Sequence, residues 1–526
     1  MSVNSIRHLL ESAVETSAEK TALIFNSEKY SYKELLENVN KVAHYFTTLK
    51  LKKGSRIGIY SHKGSEQVIA ILALLSSDYV FVPITRLLKP EQVQHIVDDC
   101  QIACMITDEY KIDALKALRF EGKVITYHPH ERSDVSFDEM YKCYDANLTC
   151  KINGHDNAVI TYSFGSSGNP KGIVITHRSL TDGARIVSNY IDIKESDVLS
   201  GLLSFNLDYG LNQIFTTLYA KATLAIHKFV LPSDFFNHLI NDKVTIMALM
   251  PIHITQMFDD DIHKIPHAEH LKNIRTITSS GGNITNLMIK NINTHFQGAK
   301  FYSMHGLSEA FRSAFLDPKQ IHIRPNSIGK AIPDVELYII NEEGEACKPR
   351  EIGELIHRGA CIYKGYWNSP EETAIRFKSI KILEKVIDLE HGLTDEIVVA
   401  SGDYVYKDEE DYLYFVSRKD DMIKTQGYRV SPVEIESVIY NNIPAISSCT
   451  IFSVENSEIE EEIVLVYNAE HELAKNEILF ELKKHLPNYM LPAQIFYNRE
   501  MPLKSLHDKE VNKESLKNEM IKNNLL

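Results

Sequence analysis

Short runs of strand-forming residues alternate with segments of helical apolar spacing through the first 280 residues of the chain. This alternation narrows the fold more than any other feature. Strand-like runs fall at 21–25, 56–60, 79–84 and 103–107, with helical patterns at 6–14, 32–49, 67–75 and 90–99. Parallel strands need a crossover between them, and a helix usually supplies it. The pattern predicts a parallel, wound α/β sheet. It repeats after residue 155, with strands at 158–162 and 173–176, a helix at 181–190, and strands at 245–250 and 274–279. From Ile328 onward, short β runs with turn signals such as Asn341-Glu-Glu-Gly344 predict a β-rich unit. Beyond 421, helical patterns at 434–440 and 475–485 and strand patterns at 448–453 and 463–467 predict a small α+β domain.

Local signals agree with this reading. Ser31 followed by Glu34 has the form of a capping box opening the helix at 32–49. The longest apolar run, 68–75, stops at Ser76-Ser77-Asp78; it is too short to span a bilayer and predicts a buried helix. A length of 526 residues exceeds one ordinary core and predicts at least two domains. Residues 1–16, with Glu11 and Glu15, contain no apolar core of signal-peptide length. A formal net charge of −14 argues against nucleic acid or an anionic membrane as the general partner. The seven cysteines are irregularly spaced with no Cys-x-x-Cys pair, which predicts neither a disulfide framework nor a zinc site and fits a reducing cytoplasm.

The run Tyr162-Ser-Phe-Gly-Ser-Ser-Gly-Asn-Pro-Lys-Gly172 carries the first chemical signal. Its glycines let the backbone wrap an anion, Ser166 and Ser167 can donate to phosphate oxygens, and Lys171 adds a positive charge. A Walker-type loop needs Gly-Lys-Ser/Thr opening a helix, whereas here Pro170 precedes the lysine and a β run follows. A plain turn between two strands has a similar composition.

This loop resembles the signature of the adenylate-forming enzymes: acyl-CoA synthetases, peptide-synthetase adenylation domains and firefly-type luciferases. Ser163-Phe164-Gly165 stands where the family usually has Thr-Ser-Gly. The resemblance continues through residues 79–83 with Pro90, Ser280-Gly281-Gly282, Ser303-Met-His-Gly-Leu-Ser-Glu309, Gly353-Glu354-Leu355 with Gly359 and Gly365-Tyr366-Trp367, and Ser401-Gly402-Asp403. Arg418, Asp420, Ile423-Lys424, Gly427 and Glu434-Ile435-Glu436 follow in the family's order.

The resemblance implies activation of a carboxylic acid with ATP and Mg2+. It assigns Ser166, Ser167, Gly168 and Lys171 to the departing phosphates, and Glu309 to the magnesium ion with Ser308 beside it. Gly281, Gly282 and Asn283 would flank adenine; His305, next to Gly306, stands where the family has a tyrosine and could stack on the base. Asp403 would accept from the ribose hydroxyls, with Arg418 reaching the ribose or phosphate. Two plainer readings remain open from residue type alone: Glu309 as a surface helix cap and Asp403 as a turn aspartate. The same resemblance divides the chain into a large region, 1–419, and a small mobile domain, 420–526, hinged at Asp420, with Gly427 and Lys424 beside a thiol channel. The distal catalytic lysine is assigned to Lys509, with Lys504 and Lys513 as rivals, because Pro502-Leu-Lys-Ser-Leu-His-Asp-Lys509 lacks the family's glycine.

The acid pocket is implied around Phe205 and Asp208. Asp208 either pairs an amino-acid ammonium or caps the helix that follows it. The thiol acceptor is coenzyme A or the phosphopantetheine of a separate acyl or peptidyl carrier protein, since the tail beyond Val511 is too short for a carrier domain. A nucleotide-binding relative without catalysis is the reading of another class.

Overall fold

In a computed structural model, the structure describes residues 5–143, 148, 151–163, 170–258, 265–266, 268–282, 284–389, 395–425, 428–456, 460–499, 501 and 513–522. These residues form four sheets. In the nine-stranded sheet, the strands Lys300–His305, Thr276–Ser279, Ile246–Leu249, Val198–Gly201, Thr223–Ile226 and Thr21–Phe25 lie side by side and parallel. In the eight-stranded sheet, Asn157–Ser163, Val80–Pro83, Arg56–Tyr60, Cys104–Thr107, Lys123–Thr126 and Val135–Ser136 are parallel, and Lys171–Thr176 and Gly365–Tyr366 extend one edge antiparallel. Wound α/β sheets are thus present as predicted.

The helix Ser65–Leu74 is buried almost all round, and its continuous Val68–Leu74 run packs into a core that draws on both large sheets. The helix Tyr32–Thr48 opens on the Ser31–Glu34 capping box. Its first residue, Tyr32, is fully buried and donates its hydroxyl to the carbonyls of Thr217 at 3.2 Å and Ala222 at 2.7 Å, tying this helix to the chain that enters Thr223–Ile226 of the nine-stranded sheet.

The β-rich unit is an antiparallel sheet of Val335–Ile340, Gly353–Gly359, Ile397–Lys407 and Phe377–Ser379, with Leu413–Arg418 paired to the long strand. The fourth sheet, built from Ile423–Thr425, Tyr428–Val430, Ile446–Asn456, Glu460–Ala469 and Gln494–Tyr497, has an apolar core drawn wholly from residues 423–495. Five described cysteines, Cys100, Cys104, Cys347, Cys361 and Cys449, are free and buried. Among the described residues no helix is long and apolar enough to cross a membrane.

Candidate active site

The strands on either side of the glycine-serine run pair antiparallel. Asn157–Ser163 and Lys171–Thr176 pair with Tyr162 opposite Gly172 and Ser163 opposite Lys171. A strand therefore follows the run, as the sequence predicted, and the Walker geometry is absent from this hairpin. Ser166, Ser167 and Gly168 lie outside the described residues. Next to the run, His95 Nε2 is 3.1 Å from the Pro170 carbonyl, and the backbone N–H of Trp367 donates to the Gly172 carbonyl at 2.7 Å. Lys171 Nζ pairs with Glu372 Oε1 at 2.8 Å.

Glu309 is only 5% exposed, so it is not a surface cap. It follows the strand Lys300–His305 and is held by the chain at 361–366. The Tyr363 N–H donates to the Glu309 carbonyl at 3.0 Å, and Ala310 bridges Ile362. The Tyr366 hydroxyl donates to Glu309 Oε1. Burial and the adjacent Glu309 hold that phenol well above its usual range, so it stays a donor. Tyr366 also belongs to the strand paired with Lys171–Thr176. One residue thus joins the carboxylate to the hairpin, a connection that the sequence reading did not draw. The second carboxylate oxygen, Oε2, is buried without a hydrogen-bond partner. An acceptor orphaned in this way fits a hard cation, which favours carboxylate oxygen. Among the described residues no group of three or more His, Cys, Asp or Glu could hold a metal. A magnesium ion here would use Glu309 as its protein ligand, a pattern common when phosphates supply other oxygens.

Asp403 has no exposed surface. It lies opposite Arg418 across the β-rich sheet, with Arg418 Nε 2.9 Å from its Oδ1 and His305 Nε2 3.2 Å from its Oδ2. Its own N–H donates to Ser401 Oγ at 3.0 Å. Gly402 has φ +68°, left-handed backbone that favours glycine. The Gly402 N–H donates to Glu354 Oε1 at 3.1 Å, and Glu354 Oε2 pairs with Lys419 at 3.0 Å. The structure thus gathers His305, Asp403 and Arg418 into one cluster, and His305 stands four residues along the chain from Glu309. Gly281, with φ +85°, and Gly282 form an exposed turn at the end of Thr276–Ser279, and Asn283 lies outside the described residues. Gly306 packs against the Arg312 backbone, and Ser308 is exposed.

Phe205 is 1% exposed, with Lys63 Nζ 5.5 Å from its ring centre. The capping alternative for Asp208 needs correction. The helix Asp208–Ala220 starts on Asp208 itself, Leu207 is the N-cap residue, and no side chain caps the helix. Asp208 Oδ1 instead accepts from the adjacent Tyr209 N–H at 2.6 Å. Burial raises its carboxyl pKa, and the Arg312 charge opposes that rise. Arg312, absent from the sequence reading, lies 4.1 Å over the Tyr209 ring.

At the far end, Asp420 lies in the single turn Lys419–Asp421, and Lys424 in the strand Ile423–Thr425. Gly427, Lys504 and Lys509 lie outside the described residues. Lys513 is engaged within the fourth sheet: its Nζ is 3.0 Å from the Ile451 carbonyl and 3.3 Å from Glu436 Oε1.

Two wound sheets, a β-rich unit and an antiparallel hairpin joined to a buried carboxylate match the adenylate-forming class of fold. A family model described as AMP-binding enzyme matches residues 10–367, and the chain belongs to that family. Tyrocidine synthase 1 of Brevibacillus parabrevis is 25% identical over 508 residues, covering 95% of this chain and 44% of its own length. Gramicidin S synthase 1 of Brevibacillus brevis is 24% identical over 506 residues, covering 95% and 43%. The chain thus spans less than half the length of these peptide synthetases. An uncharacterized acyl-CoA ligase of Bacillus subtilis (strain 168) is 25% identical over 505 residues, covering 92% and 91%. Among solved structures, ATP-bound MatB from Rhodopseudomonas palustris matches with a TM-score of 0.85 at 21% identity, covering 98% of this chain and 99% of that one. The o-succinylbenzoate coenzyme A synthetase of Bacillus subtilis in complex with ATP and magnesium ion matches with a TM-score of 0.82 at 20% identity, covering 96% and 99%.

Proposed function

We propose that this chain activates a carboxylic acid as its acyl-adenylate and passes the acyl group to a thiol. The observation that carries the reading is Glu309, buried with one oxygen unpaired and joined through Tyr366 to the hairpin bearing Lys171. In the first step a carboxylate oxygen bonds to the α-phosphorus of ATP, and the bond to the β-phosphate bridging oxygen breaks. Ser166, Ser167, Gly168 and Lys171 hold the departing pyrophosphate. Asp403 takes the ribose hydroxyls, with Arg418 beside it. Gly281, Gly282 and Asn283 border the base, with His305 and Gly306 on its other side. Ser308 contacts the phosphates. Magnesium, held by Glu309, supplies charge neutralisation on the phosphates when bound. Fixed donors and cations matter because they need no reorganisation as charge moves.

In the second step the thiol sulfur bonds to the acyl carbon and AMP leaves. The unit 420–526, with its own core, pivots at Asp420 between the steps, bringing Lys509 to the carboxylate first and Lys424 and Gly427 to the thiol afterwards. Coenzyme A is the acceptor in the reading preferred here, supported by an acyl-CoA ligase relative of matching length. The alternative, amino-acid loading of a separate phosphopantetheinyl carrier protein, is supported by the peptide-synthetase relatives.

Exchange of labelled pyrophosphate into ATP, dependent on a carboxylic acid, is the test. Absence of exchange across aliphatic, aryl and amino acids would leave a nucleotide-binding relative without catalysis. Thiol consumption with coenzyme A, against loading of a carrier protein, separates the acceptors. Lys509→Ala is expected to slow adenylation by on the order of 100-fold while sparing thioester formation from a supplied adenylate; undiminished exchange refutes the assignment.

A further inference from the structure

Beside the proposed acid pocket lies a buried cation that the chemistry above leaves unused. Arg312 is 4% exposed and sits in left-handed backbone at φ +60°. Its Nη1 donates to Ser280 Oγ at 3.2 Å, whereas Nε and Nη2 are buried without an acceptor. A guanidinium keeps its charge at any ordinary pH, and buried donors without acceptors are costly.

The surroundings point these two donors at a ligand. The guanidinium carbon is 4.1 Å from the centre of the Tyr209 ring and 4.8 Å from that of Phe311, so two aromatic rings pack against it. Tyr209 is itself fixed by a 2.6 Å hydrogen bond with Thr278. Thr278 and Ser280 lie at the carboxyl end of the parallel strand Thr276–Ser279, and Asp208 and Tyr209 open the facing helix. The crevice at the carboxyl ends of parallel strands is where open α/β sheets bind their ligands. With Nη1 engaged by Ser280, the edge carrying Nε and Nη2 is left without a partner, and that edge matches the two oxygens of a carboxylate. Asp208 lies near enough for the Arg312 charge to act on its carboxyl, yet it accepts a hydrogen bond from neither Nε nor Nη2.

We infer that Arg312 is the specificity-determining residue of the acid pocket and that the acid carries a second carboxylate, bound edge-on by Nε and Nη2 while the first is activated. This rests on the adenylation reading for its second half only. Binding of a dicarboxylate at Arg312 stands by itself.

The test pairs acids that differ only in the second carboxylate: glutarate with valerate, succinate with butyrate, phthalate with benzoate. Each is titrated calorimetrically into wild type, Arg312→Met and Arg312→Gln, and each is assayed for ATP–pyrophosphate exchange. The glutamine variant can keep a hydrogen bond to Ser280 without the charge, and far-UV circular dichroism reports that either variant is folded. At least one dicarboxylate is expected to bind wild type in preference to its partner. Loss of Arg312 should weaken that binding by on the order of 100-fold or more, leaving the far-UV circular dichroism unchanged. Equal binding of both members of every pair, or dicarboxylate binding indifferent to Arg312, overturns the inference. Binding that depends on Arg312 without exchange keeps the inference and refutes adenylation. Exchange with monocarboxylates that ignores Arg312 does the reverse.

Discussion

Replacing Glu309 with glutamine should separate stability from activity. The native carboxylate receives the Tyr366 hydroxyl on Oε1 and leaves Oε2 buried with no partner. A buried polar group left unpaired costs about 1–3 kcal/mol, and more when it is charged. Glutamine keeps the shape and an oxygen for Tyr366 but removes the charge. The ligand-free variant should therefore be as stable as wild type, or more stable by up to about 2 kcal/mol. It loses the oxygen offered to magnesium, so the exchange rate should fall by about 100- to 1,000-fold, the usual effect of removing one charge-stabilising group. Tyr366→Phe should move stability the other way, by about 1.5–3 kcal/mol, because the carboxylate loses a donor and keeps its charge. Denaturant midpoints of the ligand-free proteins and exchange rates over a magnesium titration give both quantities. Destabilisation of Glu309→Gln by more than about 1 kcal/mol would show that Glu309 is a structural group. Unchanged exchange would show that it is not the magnesium ligand.

Asp403→Asn should raise the KM for ATP by about 10- to 100-fold, the value of a hydrogen bond to a charged group, and leave the KM for the acid alone; steady-state kinetics with each substrate varied will show whether both rise together. His357 should give the protein an acid-sensitive step. It is fully buried, with Nδ1 3.0 Å from Ser313 Oγ and Nε2 2.9 Å from the Ala360 carbonyl, and burial pushes its pKa down from 6.5 to about 4. Between those values the unfolded chain binds the proton and the folded one does not. Its contribution is therefore present above pH 6.5 and lost as pH falls toward 4, up to about 3 kcal/mol. Stability measured from pH 7 to 4 should fall less steeply in His357→Gln, and identical slopes would refute this assignment.

Much of the local structure was legible in the chain. The capping box at Ser31 and Glu34, the buried helix containing residues 68–74, and the strand after Lys171 all depend on neighbours a few residues apart. Glycines and hydroxyls between 163 and 172 carried the resemblance to a phosphate loop for the same reason: such a signature is consecutive in sequence. Long-range partners were not legible. Thr21–Phe25 reads as a strand, but nothing near it says that it pairs with Thr223–Ile226, some 200 residues later. Burial of Glu309 and its link through Tyr366 to the hairpin depend on the return of the chain at 361–366. The position of Asp208 as the first helical residue, one place beyond the cap, was set by where the helix began to bond. Arg312 had no sequence signal at all, because a lone arginine after a strand is ordinarily a solvated charge. Only the fold placed Tyr209 against its face and Ser280 on one nitrogen, leaving two donors buried. The sequence by itself determined the elements, the strand that follows the glycine-serine run and the family resemblance, since each is encoded locally or in the order of motifs. The tertiary structure decided which of those groups share a site and which remain unpaired, because desolvation and charge pairing exist only once distant segments are brought together.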